Sequence, residues 1–217
     1  MKKAIIFDLW HTLAYREETI DTRQEVCDLL GLKDKSVLKD FMANNWYCNN
    51  LTEEEFFTLF LKSLGITPDE KLLNQLQQIW DKDKLQSKLY PDTIEILNKL
   101  KQKKIKLSLL SNATPSTYKI LEFLGINDKF DSIILSCDAG IKKPNEQIFL
   151  MMLNKLNLSS NEVIMVGDKF SVDLEPAQKL GITTILIARD KEPEDCNANY
   201  TIKNLNEILS ILIDYES

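Results

Sequence analysis

The sequence predicts an α/β fold, in which a parallel-sheet core carries an inserted, all-helical second domain. Three observations predict it. An apolar run opens the chain and stops abruptly on a carboxylate. Residues 14–89 then carry helix signals without strand-like alternation. From residue 90 onward, short β-branched runs alternate with helical patterns, which is the mark of βα units and a parallel sheet. The expected division is a core of residues 1–13 and 90–217, with a helical cap of residues 14–89.

The opening run is Ala4-Ile5-Ile6-Phe7, four apolar residues that read as a strand buried on both faces. Asp8 follows it directly. A carboxylate at the carboxyl end of a central parallel strand stands where open α/β sheets place their ligands, although an aspartate can also simply begin a loop. In the insertion, a first helix closes on Gly31 and a second is expected over 34–46. Thr52 with Glu55 forms a capping box, and Phe56, Phe57, Phe60, Leu61 and Leu64 then make one apolar face. Pro68 and Glu70 suggest the N1 and N3 positions of a fourth helix carrying Leu72, Leu73, Leu76, Ile79 and Trp80. These aromatics read as the core of a helical bundle rather than as a cofactor box.

In the second half, helices are expected over 91–103, 114–125, 144–156 and 173–180. Strands are expected over 105–110, 132–135, 163–166 and 182–187. A polar loop over 189–199, a short strand at Tyr200-Thr201-Ile202 and a last helix complete the chain. The lysines at 99, 101, 103, 104 and 106 cluster at a helix end, where cations complement the dipole and form a solvated face.

Bulk properties narrow the function classes. A net charge of −6 argues against nucleic acid or an anionic membrane as the main partner, whereas a bound cation can still reverse the local field for an anionic substrate. Apolar runs reach only about six residues, far below the roughly 18 that span a bilayer. No basic segment leads into an apolar stretch, and Cys27, Cys48, Cys137 and Cys196 have no C-x-x-C spacing. A cytoplasmic protein with reduced thiols is therefore expected. Oligomeric state is not legible.

Four polar signals each follow an apolar strand or a loop. Asp8 is a candidate nucleophile. Ser111-Asn112 offers a hydroxyl, an amide and loop N–H groups ahead of a helix, a ready anion site. Lys143-Pro144 places an ammonium before another helix. Asp168 and Asp173 bracket a strand-to-helix turn, so both carboxylates can face one cation. With Asp8 they supply hard oxygen ligands of the kind Mg²⁺ accepts. Cation, lysine and serine together would neutralise the oxygens of a transferring phosphoryl group.

Read together, Phe7-Asp8-Leu9-Trp10-His11-Thr12-Leu13, Leu110-Ser111-Asn112, Lys143-Pro144 and the Gly167-to-Asp173 turn resemble, in order, the four motifs of the haloacid dehalogenase-like hydrolase superfamily. The resemblance implies a Rossmann-like sheet of strand order 5-4-1-2-3 with a cap after strand 1. It implies an aspartyl-enzyme intermediate on Asp8, with Mg²⁺ held by Asp8, Asp168 and the backbone carbonyl of Trp10. Asp173 would support the metal. Thr12, Ser111 and Lys143 would face the phosphate of a small phosphorylated substrate.

One position departs from that pattern. Most phosphatases of the superfamily have a second aspartate two residues after the nucleophile, serving as general acid and base; here it is Trp10. Indole can only donate a hydrogen bond, so the proton shuttle is lost. His11 is adjacent, but neighbouring residues of an extended segment point oppositely, which leaves it a structural role. Three readings follow: a Mg²⁺-dependent phosphatase, a catalytically weakened domain binding a phospho-ligand or protein, and a 2-haloacid dehalogenase. The last lacks support in the acidic pair, which such enzymes usually do without. The scarce arginines, Arg16, Arg23 and Arg189, match no recognisable halide context. Tyr15 and Arg16 are the cap residues expected near the site from chain proximity.

Overall fold

In a computed structural model of the chain, residues 1–17, 19–189, 196–213 and 215 are described. Strand β1 (Ala4–Phe7) lies at the centre of a six-stranded sheet. Its parallel neighbours are β4 (Lys106–Ser111) and β6 (Val163–Gly167). β5 (Ser132–Leu135) continues the sheet beyond β4, and β7 (Thr183–Ile187) then β8 (Tyr200–Ile202) continue it beyond β6. Renumbered by βα unit, the order around β1 is the expected 5-4-1-2-3, with β8 added at one edge.

Strand periodicity sends alternate residues of β1 to opposite faces. Ile5 and Phe7 join a cluster with Leu97, Leu107, Leu109, Ile164 and Val166. Ala4 and Ile6 join a second cluster with Leu110, Phe149, Met152 and Met165. Helix α5 (Thr93–Gln102) lies against the first face, and α8 (Glu146–Leu156) against the second. A strand buried on both faces cannot carry polar residues inside, so chemistry is confined to its end. α6 (Ser116–Phe123) and α10 (Ile208–Ile213) match expected helices.

Helices α1 (Thr22–Leu29), α2 (Ser36–Asn45), α3 (Glu53–Ser63) and α4 (Glu70–Asp81) close around a separate apolar cluster. Trp46 is stacked on Phe56 at 3.8 Å between centroids, and its indole donates to the Leu51 carbonyl. The expected core role of these aromatics is what the packing shows, and each fully buried ring contributes about 2–3 kcal/mol. The Thr52/Glu55 capping box is present.

Three local expectations are corrected. The insertion is not wholly helical, because β2 (Ala14–Arg16) and β3 (Ser87–Leu89) pair as an antiparallel ribbon where the chain enters and leaves it. Three-residue strands are too short to show alternation. The fourth helix is capped by Asp69, whose carboxylate accepts from Leu72 N, and Pro68 precedes the cap. A nearer Asx cap outcompetes the N1 reading of proline. Finally, a four-residue helix, α7 (Ser136–Ala139), follows β5 where no element was expected. Residues 190–195 of the predicted polar loop lie outside the described residues.

The four cysteines are free thiols. No helix among the described residues is long and apolar enough to cross a membrane.

Candidate active site

Asp8 leaves the end of β1 with its N–H bonded to the Val166 carbonyl at 2.9 Å, and its side chain is buried. Lys143 reaches it from the loop before α8. The Lys143 Nζ donates to Asp8 Oδ1 at 2.7 Å, to Asp173 Oδ1 at 2.5 Å and to the Leu110 carbonyl at 2.9 Å. All three ammonium donors are thus engaged in a buried position. Carboxylate oxygens of Asp8, Asp168 and Asp173 lie within 4.8 Å of one another. Three carboxylates facing one ammonium leave an excess negative charge of two, which is the charge of a divalent cation. The donor set is all oxygen, as Mg²⁺ prefers.

The electrostatics follow from this crowding. Burial raises Asp8 to about 6; Asp173 adds to the rise, and Lys143 opposes it. Burial and Asp173 likewise raise Asp168 to about 6. Burial alone would lower Lys143, but Asp173 and Asp8 outweigh it and hold the ammonium above its ordinary range. The lysine is therefore a fixed positive charge rather than a proton donor.

Local sequence explains why these groups meet. Phe170–Leu174 forms a single π-helical turn, which brings Asp173 back over the end of β6. A Cβ on Gly167 would meet Asp173 Cβ at 2.6 Å, so only glycine allows that approach. Beyond Asp8 the chain is not extended, as the sequence reading assumed. Leu13 N and Ala14 N both bond to the Leu9 carbonyl, and His11 takes φ +60. This tight loop voids the argument that alternate side chains point oppositely. Its reversal brings Trp10 and His11 together onto the wall of a cavity beside the site.

Two hydroxyls expected to face a phosphate, Thr12 Oγ1 and Ser111 Oγ, are buried without a hydrogen-bond partner. Buried polar atoms are rarely left unsatisfied, so both suit an incoming anion. Asn112 is redirected. Its amide donates to the Lys143 carbonyl and accepts from the Lys143 N–H, both at 2.8 Å, which orients the lysine. Its expected anion-binding amide is engaged at both ends because the Lys143 loop passes close by.

Arg189 gained no role from the sequence. It donates to the Thr12 carbonyl at 2.6 Å through Nη2, to Asp92 at 3.1 Å through Nη1, and lies 3.6 Å from the Tyr90 ring centroid. It ties the end of β7 to the loop carrying Thr12, a link 177 residues apart in sequence and invisible to local patterns. Of the two cap residues expected near the site, Arg16 lines the cavity, whereas Tyr15 packs against Tyr90.

Comparisons with known proteins identify the family and the fold. Residues 5–187 match the model of the haloacid dehalogenase-like hydrolase family. A glyceraldehyde 3-phosphate phosphatase of Methanopyrus kandleri is 29% identical over 186 residues, covering 82% of this chain and 76% of that protein. Another, from Methanocaldococcus jannaschii, is 34% identical over 127 residues, and the match spans 57% of this chain but only 56% of that relative's length. The structure of a 2-haloacid dehalogenase from Pseudomonas syringae superposes with a TM-score of 0.80 at 21% identity, covering 99% of this chain and 100% of that one. At that identity the likeness concerns the fold. With the central β1–Asp8 junction, the sheet order and a family match over most of its length, the chain belongs to the haloacid dehalogenase-like hydrolase family.

Proposed function

We propose that the protein is a Mg²⁺-dependent phosphomonoesterase acting on a small phosphorylated metabolite, with residues 14–89 serving as a cap over a core of residues 1–13 and 90–217. The observation that carries this reading is the constellation of buried Asp8, Asp173 and Lys143 with half-buried Asp168, and its two-charge excess. The phosphatase relatives support it. In this reading the protein is cytoplasmic and acts on neither nucleic acid nor membrane.

Asp8, Asp168 and Asp173 would hold the ion, with the Trp10 carbonyl as a further ligand. When bound, Mg²⁺ supplies positive charge to a phosphoryl oxygen and lets the anionic ester approach an anionic nucleophile. Asp8 attacks phosphorus with a carboxylate oxygen, forming an aspartyl phosphate as the P–O bond to the leaving alcohol breaks. Thr12 and Ser111 hydroxyls and the Lys143 ammonium hold the remaining phosphoryl oxygens. Water then attacks phosphorus and returns Asp8 as a carboxylate. The first step needs an acid at the leaving oxygen and the second needs a base, and Trp10 can serve as neither.

Phosphate release from a panel of small phosphomonoesters, with and without Mg²⁺, tests the proposal. Calorimetry should show Mg²⁺ binding that Asp168→Ala largely abolishes, and undiminished binding by that variant would refute the assigned site. A dehalogenase would instead release chloride from chloropropionate in the presence of EDTA.

The Trp10 departure makes a sharper prediction. Trp10→Asp should raise turnover of alkyl phosphates, whose leaving alkoxide needs a proton, by up to about 10²-fold. For p-nitrophenyl phosphate, which departs without full protonation, the gain should be smaller. Folding and metal affinity are to be measured alongside, because the substitution removes the ring that lies against Arg16 and adds a charge two residues from Asp8. No gain on either substrate, with both properties intact, would remove the missing-shuttle account. Trp10 would then serve a domain that binds a phosphorylated ligand without turning it over.

A further inference from the structure

The cavity beside Asp8, about 260 Å³, is roofed by the helical insertion and floored by the loops after β1 and β4. Its volume is that of roughly nine water molecules, enough for a small metabolite. Two guanidinium groups, Arg16 and Arg23, line it, along with one carboxylate, Asp83. Asp83 is committed to Arg16 at 2.8 Å. That pairing supplies one guanidinium edge only, and Arg16 Nε is buried with no acceptor. Arg23 stands half-buried in the first turn of α1 and forms no ion pair among the described residues.

The indole of Trp10 lies against Arg16, whose guanidinium is 4.3 Å from the ring centroid. The residue that replaces the family's second aspartate thus acts as a flat support for a cation at the inner end of the cavity. Outward, a second cavity of about 350 Å³ shares Arg16, Arg23 and Asp83 and adds Lys35 and Lys39 to its wall. Its other acid, Asp21, is bound to Lys35 at 2.7 Å. In a protein of net charge −6, this is a locally cationic channel whose acids are already neutralised. Such a channel concentrates and orients anions.

We propose that Arg16 and Arg23 form a subsite for a second anionic group, so that the substrates are small phosphomonoesters carrying a carboxylate or a second phosphate away from the scissile ester. This rests on the phosphomonoesterase reading above and narrows it to a substrate class. The phosphate to be cleaved lies over Asp8, and the distal oxyanion supplies the acceptor that Arg16 lacks and the charge that Arg23 lacks. Planar guanidinium forks suit carboxylate and phosphate alike.

Non-hydrolysable ligands test the subsite independently of turnover. Binding of propylphosphonate, phosphonopropionate and propylene bisphosphonate would be compared by calorimetry in excess Mg²⁺. At least one of the doubly anionic ligands should bind about ten-fold more tightly than propylphosphonate, and the tighter one identifies the distal group. Arg23→Gln, which leaves the Arg16–Asp83 pair intact, should remove most of that preference. Arg16→Lys, which retains a cation for Asp83, should also reduce it. Equal binding of all three ligands by the native protein, or a preference that survives Arg23→Gln, would overturn the proposal. A preserved preference without phosphate release from any ester would leave the subsite standing and refute the phosphatase reading instead. Failure of every phosphonate to bind would refute both.

Discussion

Asp8→Asn should abolish phosphomonoester hydrolysis, lowering turnover by at least about 10³-fold, because an amide nitrogen or oxygen cannot replace the carboxylate as nucleophile. The same change should leave the fold nearly undisturbed. Burial already disfavours the charged form of Asp8, so a neutral isostere costs little there. Lys143 also keeps its bonds to Asp173 and to the Leu110 carbonyl. Phosphate release and the urea midpoint, measured on one preparation, separate the two effects. A variant that retained native turnover would disqualify Asp8 as the nucleophile.

Lys143→Met should act on the fold itself. It strips away the ammonium that bonds both Asp8 and Asp173, in a buried pocket adjoining Asp168. Removing one partner of a buried ion pair typically costs about 3–5 kcal/mol, because the remaining charges stay desolvated and unpaired. Partial protonation of Asp8 and Asp168 will reduce that cost, and this gives the loss a pH signature. Asp8 is already raised to about 6, and losing Lys143, which holds it down, moves it further up. A carboxyl with a raised folded-state pKa contributes stability at low pH, below its unfolded pKa, and loses it as pH rises through the folded value. The variant should therefore be closest to native stability in acid and fall furthest behind at neutral pH. Added Mg²⁺ should recover part of the deficit by balancing the same charge. Urea titrations in acid and at neutral pH, with and without Mg²⁺, check both statements. A deficit independent of pH and metal would show that the lysine acts through packing alone.

Much of this protein follows from its sequence alone. Ala4-Ile5-Ile6-Phe7 had to be a doubly buried strand, because four apolar residues without alternation leave no face for water. The Thr52/Glu55 cap and the Phe56, Phe57 and Phe60 stripe specify α3 by local hydrogen bonding and helical period, without distant partners. The positions of Asp8, Ser111 and Asp168 were legible because each stands where an apolar run ends, and parallel strands bring such ends to one edge, whereas Lys143 lies in a loop before a helix.

Contacts between distant segments were decided only by the tertiary structure. That Asn112 orients Lys143 while Ser111 and Thr12 remain unpartnered depends on loops 31 residues apart passing one another. The clasp of Arg189 on the Thr12 carbonyl joins opposite ends of the chain. The left-handed turn at His11 and the ribbon of β2 and β3 are too short to leave a periodic signal, yet they set the entry angle of the insertion. That angle brings Arg16 over Trp10 and Arg23 to the same cavity. Sequence patterns record which face of an element is apolar, whereas a cavity's charge depends on which elements close over it.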